Sequence, residues 1–229
     1  MLQFKIFDII VKLIPGLLIM TLVLPFMYFL SGGLEGQLSK SLLAFKDYST
    51  ITTSVFFALC FIIGTVINML SSDFEEILWK LWGGRPSNLL LRDKVKAKPL
   101  NNPTAIFAFL QEKTNDQRLL AKTIEQFEDK DFGRLFQTAK NICNNQKDKT
   151  KSDERIEDFL SSYIFMRNLM ITMLLNIIVS VFWYFLNGIH IGLVVFLIFI
   201  TFLIYQRCKK QGVYHTREVF NRAFATRNL

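Results

Sequence analysis

Four apolar runs, Leu13 to Leu30, Thr52 to Leu70, Met170 to Leu186 and Ile189 to Tyr205, constrain this chain more than any other feature. Each approaches the ~20 residues that carry a helix across a ~30 Å hydrocarbon layer, the last at the short end. With 51% of its 229 residues hydrophobic and 23 of them Phe, the chain is too apolar for an ordinary soluble domain. The expected fold is all-α: a polytopic membrane protein with four transmembrane helices, a helical cytoplasmic insert between helices 2 and 3, and both termini cytoplasmic. The boundaries expected are 1–72 for an amphipathic N-terminal helix and hairpin 1-2, 73–160 for the insert, 161–206 for hairpin 3-4, and 207–229 for a basic tail.

Orientation follows from Lys and Arg. Two lie at the N terminus, sixteen in the middle segment, one at Arg167 and six in the tail, against two in the connection from Ser31 to Ile51. Placing the termini and the insert in the cytoplasm puts 25 of the 27 basic residues on that side, and the flanking Lys80, Arg85, Arg167, Arg207, Lys209 and Lys210 agree. The first apolar run follows Lys5 and Lys12 and precedes Ser31-Gly32-Gly33, yet its 18 residues exceed a signal-peptide core, which favours an uncleaved anchor. Cys60, Cys143 and Cys208 show no paired spacing and only His190 and His215 accompany them, so neither a disulfide frame nor a metal site is indicated and no cofactor is expected.

Residues 1 to 14 carry Lys5, Asp8 and Lys12 on one face of an amphipathic interfacial helix, and Pro15-Gly16 predicts an elbow before the first span. Pro25 predicts a kink within it. The second span ends in Gly64, Asn68 and Ser72, a small and polar series at four-residue steps. The helix is expected to continue to Gly83-Gly84, with Trp79 and Trp82 as interfacial anchors. In the third span Asn168, Thr172, Asn176 and Ser180 repeat the four-residue step, laying a polar stripe on an apolar helix. Two readings stand side by side for these seven residues: helix packing through interhelical hydrogen bonds, or the lining of a wetted path made by several copies. Pairing of the seams of spans two and three is the expected centre of the bundle. The fourth span has no such stripe and reads as lipid-facing.

The insert holds 16 basic and 15 acidic residues. It predicts three helices: one opened by Asn102-Pro103, one capped by Asn115 and running through QRLLAKTIEQF, and one over DFGRLFQTAKNIC with Phe132, Leu135, Phe136 and Ala139 on one side. Between them Arg92, Lys94, Lys96 and Lys98 alternate, so an extended backbone puts four cations on one side, toward an anionic ligand (nucleotide or nucleic acid), lipid headgroups or solvent. Arg207, Lys209 and Lys210 offer the same chemistry. Ser152 caps a helix expected to run unbroken to Leu186, joining insert to seam, and Asn187-Gly188 makes the outer turn. The tail carries Val213, Phe220 and Phe224 on an edge that lies on anionic lipid or docks on the insert.

No glycine-rich phosphate loop, nucleophile elbow, HExxH or facing acidic pair occurs, so the chain does not read as an enzyme. The elbow LIPG, GTVINMLSSDFEEILWKLWGG, FMRNL entering span three and YHTREVFNRAF after span four together resemble a loose family of small bacterial four-span inner-membrane proteins. Some of these are membrane components of anti-phage defence systems, the membrane subunits of the Kiwa and Hailong systems being of this general build. The resemblance implies a homo-oligomer in the bacterial inner membrane with a cytosolic protein partner, whose cytoplasmic part receives a signal and whose spans respond. A non-conducting sensor or scaffold that recruits a cytosolic effector is the alternative function.

Overall fold

The computed structural model describes residues 9–21, 49–94, 100, 102–114, 116–145, 151–187 and 191–228. The stretch before Ile9, Pro25, the outer connection, Lys96, Lys98, Asn115, Gly188 and His190 lie outside them. Helices are the only regular secondary structure among the described residues. They are α1 (Ile9–Thr21), α2 (Ser49–Asp73), α3 (Glu75–Trp82), α4 (Pro86–Leu91), α5 (Pro103–Glu112), α6 (Gln117–Leu120), α7 (Asp129–Asn144), α8 (Lys151–Asn187) and α9 (Ile191–Ala225). Short 3-10 turns cover Ile124–Gln126 and Thr226–Asn228. Three helices, within α2, α8 and α9, are long and apolar enough to cross a membrane. The chain divides into two compact units, Met1–Asp73 with Ile164–Cys208, and Phe74–Tyr163 with Lys209–Leu229.

In the first unit α1 and α2 cross at two glycines. A Cβ on Gly16 would overlap the Cys60 carbonyl, and one on Gly64 would overlap the Lys12 carbonyl. Glycine at both points lets the backbones touch, the small-residue contact that replaces hydrophobic driving force in lipid. Pro15-Gly16 is no elbow: α1 runs through both, and both are buried. The exposed faces of the unit are large and apolar, with Phe57, Ile62, Val66 and Met69 on α2, Ile178, Phe182 and Phe185 on α8, and Val195, Phe196, Phe199 and Phe202 on α9. Between Ile191 and Tyr205 only Leu197 and Thr201 of α9 are buried, and Thr201 bonds back to the Leu197 carbonyl at 2.7 Å. A helix so apolar outside suits a hydrocarbon environment.

The second unit has a conventional apolar core. Leu90, Leu91, Ile106, Phe109, Leu110, Leu119, Phe132, Leu135 and Ala139 from α4 to α7 close around Val213, Val219, Phe220 and Ala223 of α9. The tail is thus part of this core and not an appendage, and α9 continues from the fourth apolar run through Gly212 to Ala225 without a break. Asn102 caps α5 by accepting from the Ala105 N–H at 3.1 Å, with Pro103 at the first helical position. The expected helix through QRLLAKTIEQF is broken instead. Asp116 caps the single turn α6, and Thr123 with Gln126 forms a capping box for the 3-10 turn. Gln111 Nε2 then donates to the carbonyls of Leu119, at 2.5 Å, and Lys122, at 2.8 Å. Local side-chain bonds to backbone win over helix continuation here.

Phe132, Leu135 and Ala139 face the core as the spacing predicts, with Phe136 packed beside them. Burial tends to raise the Asp131 carboxyl. The Lys122 ammonium at 2.8 Å and the Glu128 N–H at 3.2 Å outweigh it and hold the group below its ordinary value. Trp82 is 4% exposed and meets the Tyr163 ring edge-on at 6.3 Å. It is a core residue of this unit, where the sequence suggested an interfacial anchor. Gly83, at φ 86°, closes α3 in the left-handed conformation, its N–H bonding to the Lys80 carbonyl.

Candidate functional site: a polar node at Asn168

Asn168 is fully buried in the first unit and bonds to two other helices. Its Nδ2 donates to Asn68 Oδ1 of α2 at 3.1 Å and to the Val11 carbonyl of α1 at 3.4 Å. Its Oδ1 lies 2.5 Å from Ser71 Oγ, whose hydroxyl donates to it. Arg167, only 7% exposed, donates through Nε to the same Ser71 oxygen at 3.2 Å. One carboxamide therefore ties three helices, with a guanidinium beside it. The expected pairing of the two seams is seen in these bonds.

The Val11 contact has a cause in the sequence. In a regular helix the N–H of residue 15 would bond the carbonyl of residue 11, but Pro15 has no N–H. The Val11 oxygen is left without its intrahelical donor, and Asn168 supplies one from a neighbouring helix. Such a substitution is needed because a buried carbonyl without a partner is costly.

The second-span series is shifted by one residue from the expected seam. Ser72 is exposed and Ser71 is fully buried. At 100° per residue Ser71 stands about 20° from Gly64 around the helix, whereas Ser72 stands about 80° away. Seven residues make nearly two turns and four plus four do not. In the third span all four predicted positions are buried, Asn168, Thr172 and Ser180 at 0% and Asn176 at 3%. Thr172 donates to the Asn168 carbonyl at 2.9 Å within α8, and Asn176 Nδ2 reaches the Leu18 carbonyl at 3.5 Å. Asn176 Oδ1 and Ser180 Oγ have no hydrogen-bond partner among the described residues. The stripe thus turns inward within one chain. Arg167 and Ser71 were missed as site residues: Arg167 reads as a flank charge by position, and Ser71 sits next to the apparent four-residue series.

Of the expected cation row, only Arg92 and Lys94 are among the described residues. Arg92 donates to the Phe127 carbonyl at 2.6 Å and lies 5.1 Å from the Phe132 ring, while Asp93 turns the backbone at φ 53°. Lys94 is exposed. The turn at Arg92 and Asp93 takes these two side chains out of the alternation that an extended backbone would give them. Of the tail cations, Arg207 and Lys210 are exposed, and Lys209 donates to the Trp82 carbonyl at 3.3 Å. No group of three or more His, Cys, Asp or Glu side chains suited to a metal ion occurs among the described residues.

Comparisons with protein-family models, with curated proteins and with solved structures find no match to this chain.

Proposed function

We propose that this chain is a non-enzymatic, oligomeric effector of the bacterial inner membrane, channel-like and gated through its cytoplasmic portion by a ligand or protein partner. In this reading it crosses the membrane four times, with both termini and residues 73–160 in the cytoplasm, and serves in anti-phage defence as the family resemblance suggests. The observation that carries the reading is the Asn168 node. A buried guanidinium beside a buried amide network, at the end of a span, is costly to keep out of water, and such groups are retained mainly where they work. Interhelical polar bonds of this kind are worth on the order of 1 kcal/mol each. A few of them therefore hold a bundle shut without locking it. Since the stripe faces inward, the path runs within each chain's own bundle, along Asn168, Thr172, Asn176 and Ser180.

The test is ion flux from liposomes holding the purified protein, with and without host cytosolic extract. Asn176→Leu is expected to abolish the flux and leave assembly unchanged. Normal flux in that variant would remove the stripe from the path.

A second reading, the non-conducting sensor or scaffold for a cytosolic effector, is favoured by the same inward stripe, because packing within one chain accounts for its burial. Silence in both conditions from folded, oligomeric protein decides for it. Removing Gln206 to Leu229 does not test it cleanly, since that segment supplies Val213, Val219, Phe220 and Ala223 to the core of the second unit.

A further inference from the structure

The second unit holds a partly open cavity of about 270 Å³ whose lining includes Glu75, Trp79, Arg85, Lys140, Tyr163 and His215. Two cations and one carboxylate face it. The carboxylate is engaged, since Tyr163 donates its hydroxyl proton to Glu75 Oε1 at 2.7 Å. The Arg85 guanidinium lies 4.4 Å from the Trp79 ring centre, and its one carboxylate contact among the described residues is Glu76 at 3.4 Å, with Glu76 72% exposed. So open a pair holds the guanidinium weakly. The Trp79 indole N–H is buried and has no acceptor among the described residues. That N–H does not open on the cavity; a guanidinium fork and an ammonium line it, and both suit an oxyanion. Trp79, Phe136 and Tyr163 supply aromatic wall among smaller and polar residues, and the volume exceeds what a lone phosphate fills.

We infer that this cavity binds a small oxyanion carrying an aromatic ring, its charge on Arg85 and Lys140 and its ring against Tyr163 and Trp79. The inference gives the proposed sensing unit a ligand class; it rests on that reading for the consequence of binding but not for binding itself. Gly133 supplies the means of testing it. A Cβ there would stand 2.6 Å from Arg85 Nη1, the free end of a flexible side chain. Gly133→Ala therefore displaces the guanidinium while leaving the backbone of α7 undisturbed, and alanine is the better helix former.

The experiment is calorimetric titration of the full chain in detergent with phenyl phosphate and adenosine 5′-monophosphate, and with orthophosphate and adenosine as the two halves. A ring-bearing phosphate is expected to saturate one site per chain, about tenfold or more tighter than either half. Arg85→Met and Gly133→Ala are each expected to weaken it about tenfold or more, the loss of a charge-assisted hydrogen bond, with the melting temperature of Gly133→Ala at or above that of the unsubstituted chain. No saturable binding of either probe overturns the inference, as does undiminished affinity in Gly133→Ala. Orthophosphate binding as tightly as the whole probes would show an adventitious ion only, and adenosine binding as tightly would remove the oxyanion. Silent liposomes would leave this site standing, and an empty titration would leave any flux standing.

Discussion

Pro15 and Asn168 lie 153 positions apart in the chain, yet one creates the need that the other meets. The proline withholds a donor from the Val11 carbonyl, and the carboxamide supplies it. Pro15→Ala restores the intrahelical N–H, so the Asn168 contact loses part of its worth. Asn168→Leu is expected to cost about 1–2 kcal/mol in the natural chain and measurably less in the Pro15→Ala background. Thermal unfolding of the four proteins in detergent measures the coupling, and strict additivity would show the two residues to be independent. The sequence displays both residues plainly, and LIPG reads as an elbow because proline before glycine commonly is one. Only the position of a neighbouring helix turns a break signal into a bonded carbonyl.

At the scale of elements, the α1–α2 crossing depends on bare backbone at Gly16 and Gly64. Gly64→Ala forces the helices apart against the Lys12 carbonyl, at an expected cost of about 2 kcal/mol. Gly192→Ala, on α9 with nothing within 4 Å of the added carbon, is expected to be neutral or slightly stabilising. Unfolding of the two variants side by side checks this, and equal melting temperatures would contradict the crossing. The long helices were legible because apolar length and the absence of breakers identify them, and α8 begins within a residue of the expected Ser152. The register of the second-span seam was less legible. A four-residue repeat is easier to see in a string of letters than a four-three repeat, but the latter follows the helix. The helix expected over QRLLAKTIEQF failed for a different reason: Gln111, from another element, takes the carbonyls that would have continued it.

For the molecule as a whole, the second unit should be the acid-sensitive part. His215 is buried, which with the nearby Lys140 pushes its imidazole from 6.5 down to about 4. The folded state keeps it neutral while the unfolded chain takes up a proton below about 6.5, so its contribution is fully present above that pH and is lost as pH falls toward 4. The loss reaches about 3 kcal/mol from this group. Melting temperatures at pH 7.5 and 5 should differ clearly in the natural chain and much less in His215→Phe, and an equal decline in both would place the sensitivity elsewhere. The sequence by itself determined that the chain is helical, that it holds apolar runs long enough to cross a membrane, of which three lie on such helices among the described residues where four were expected, and which residues of α7 face a core. Each of these rests on local periodicity and hydrophobic length. The tertiary structure alone decided that the tail completes the core of the second unit, that Ser71 and Arg167 join Asn168, that Arg92 turns inward, and that Arg85 meets Trp79 at a cavity. These are meetings of side chains distant in sequence, and no local pattern encodes them because the bond exists only once packing has brought both partners out of solvent.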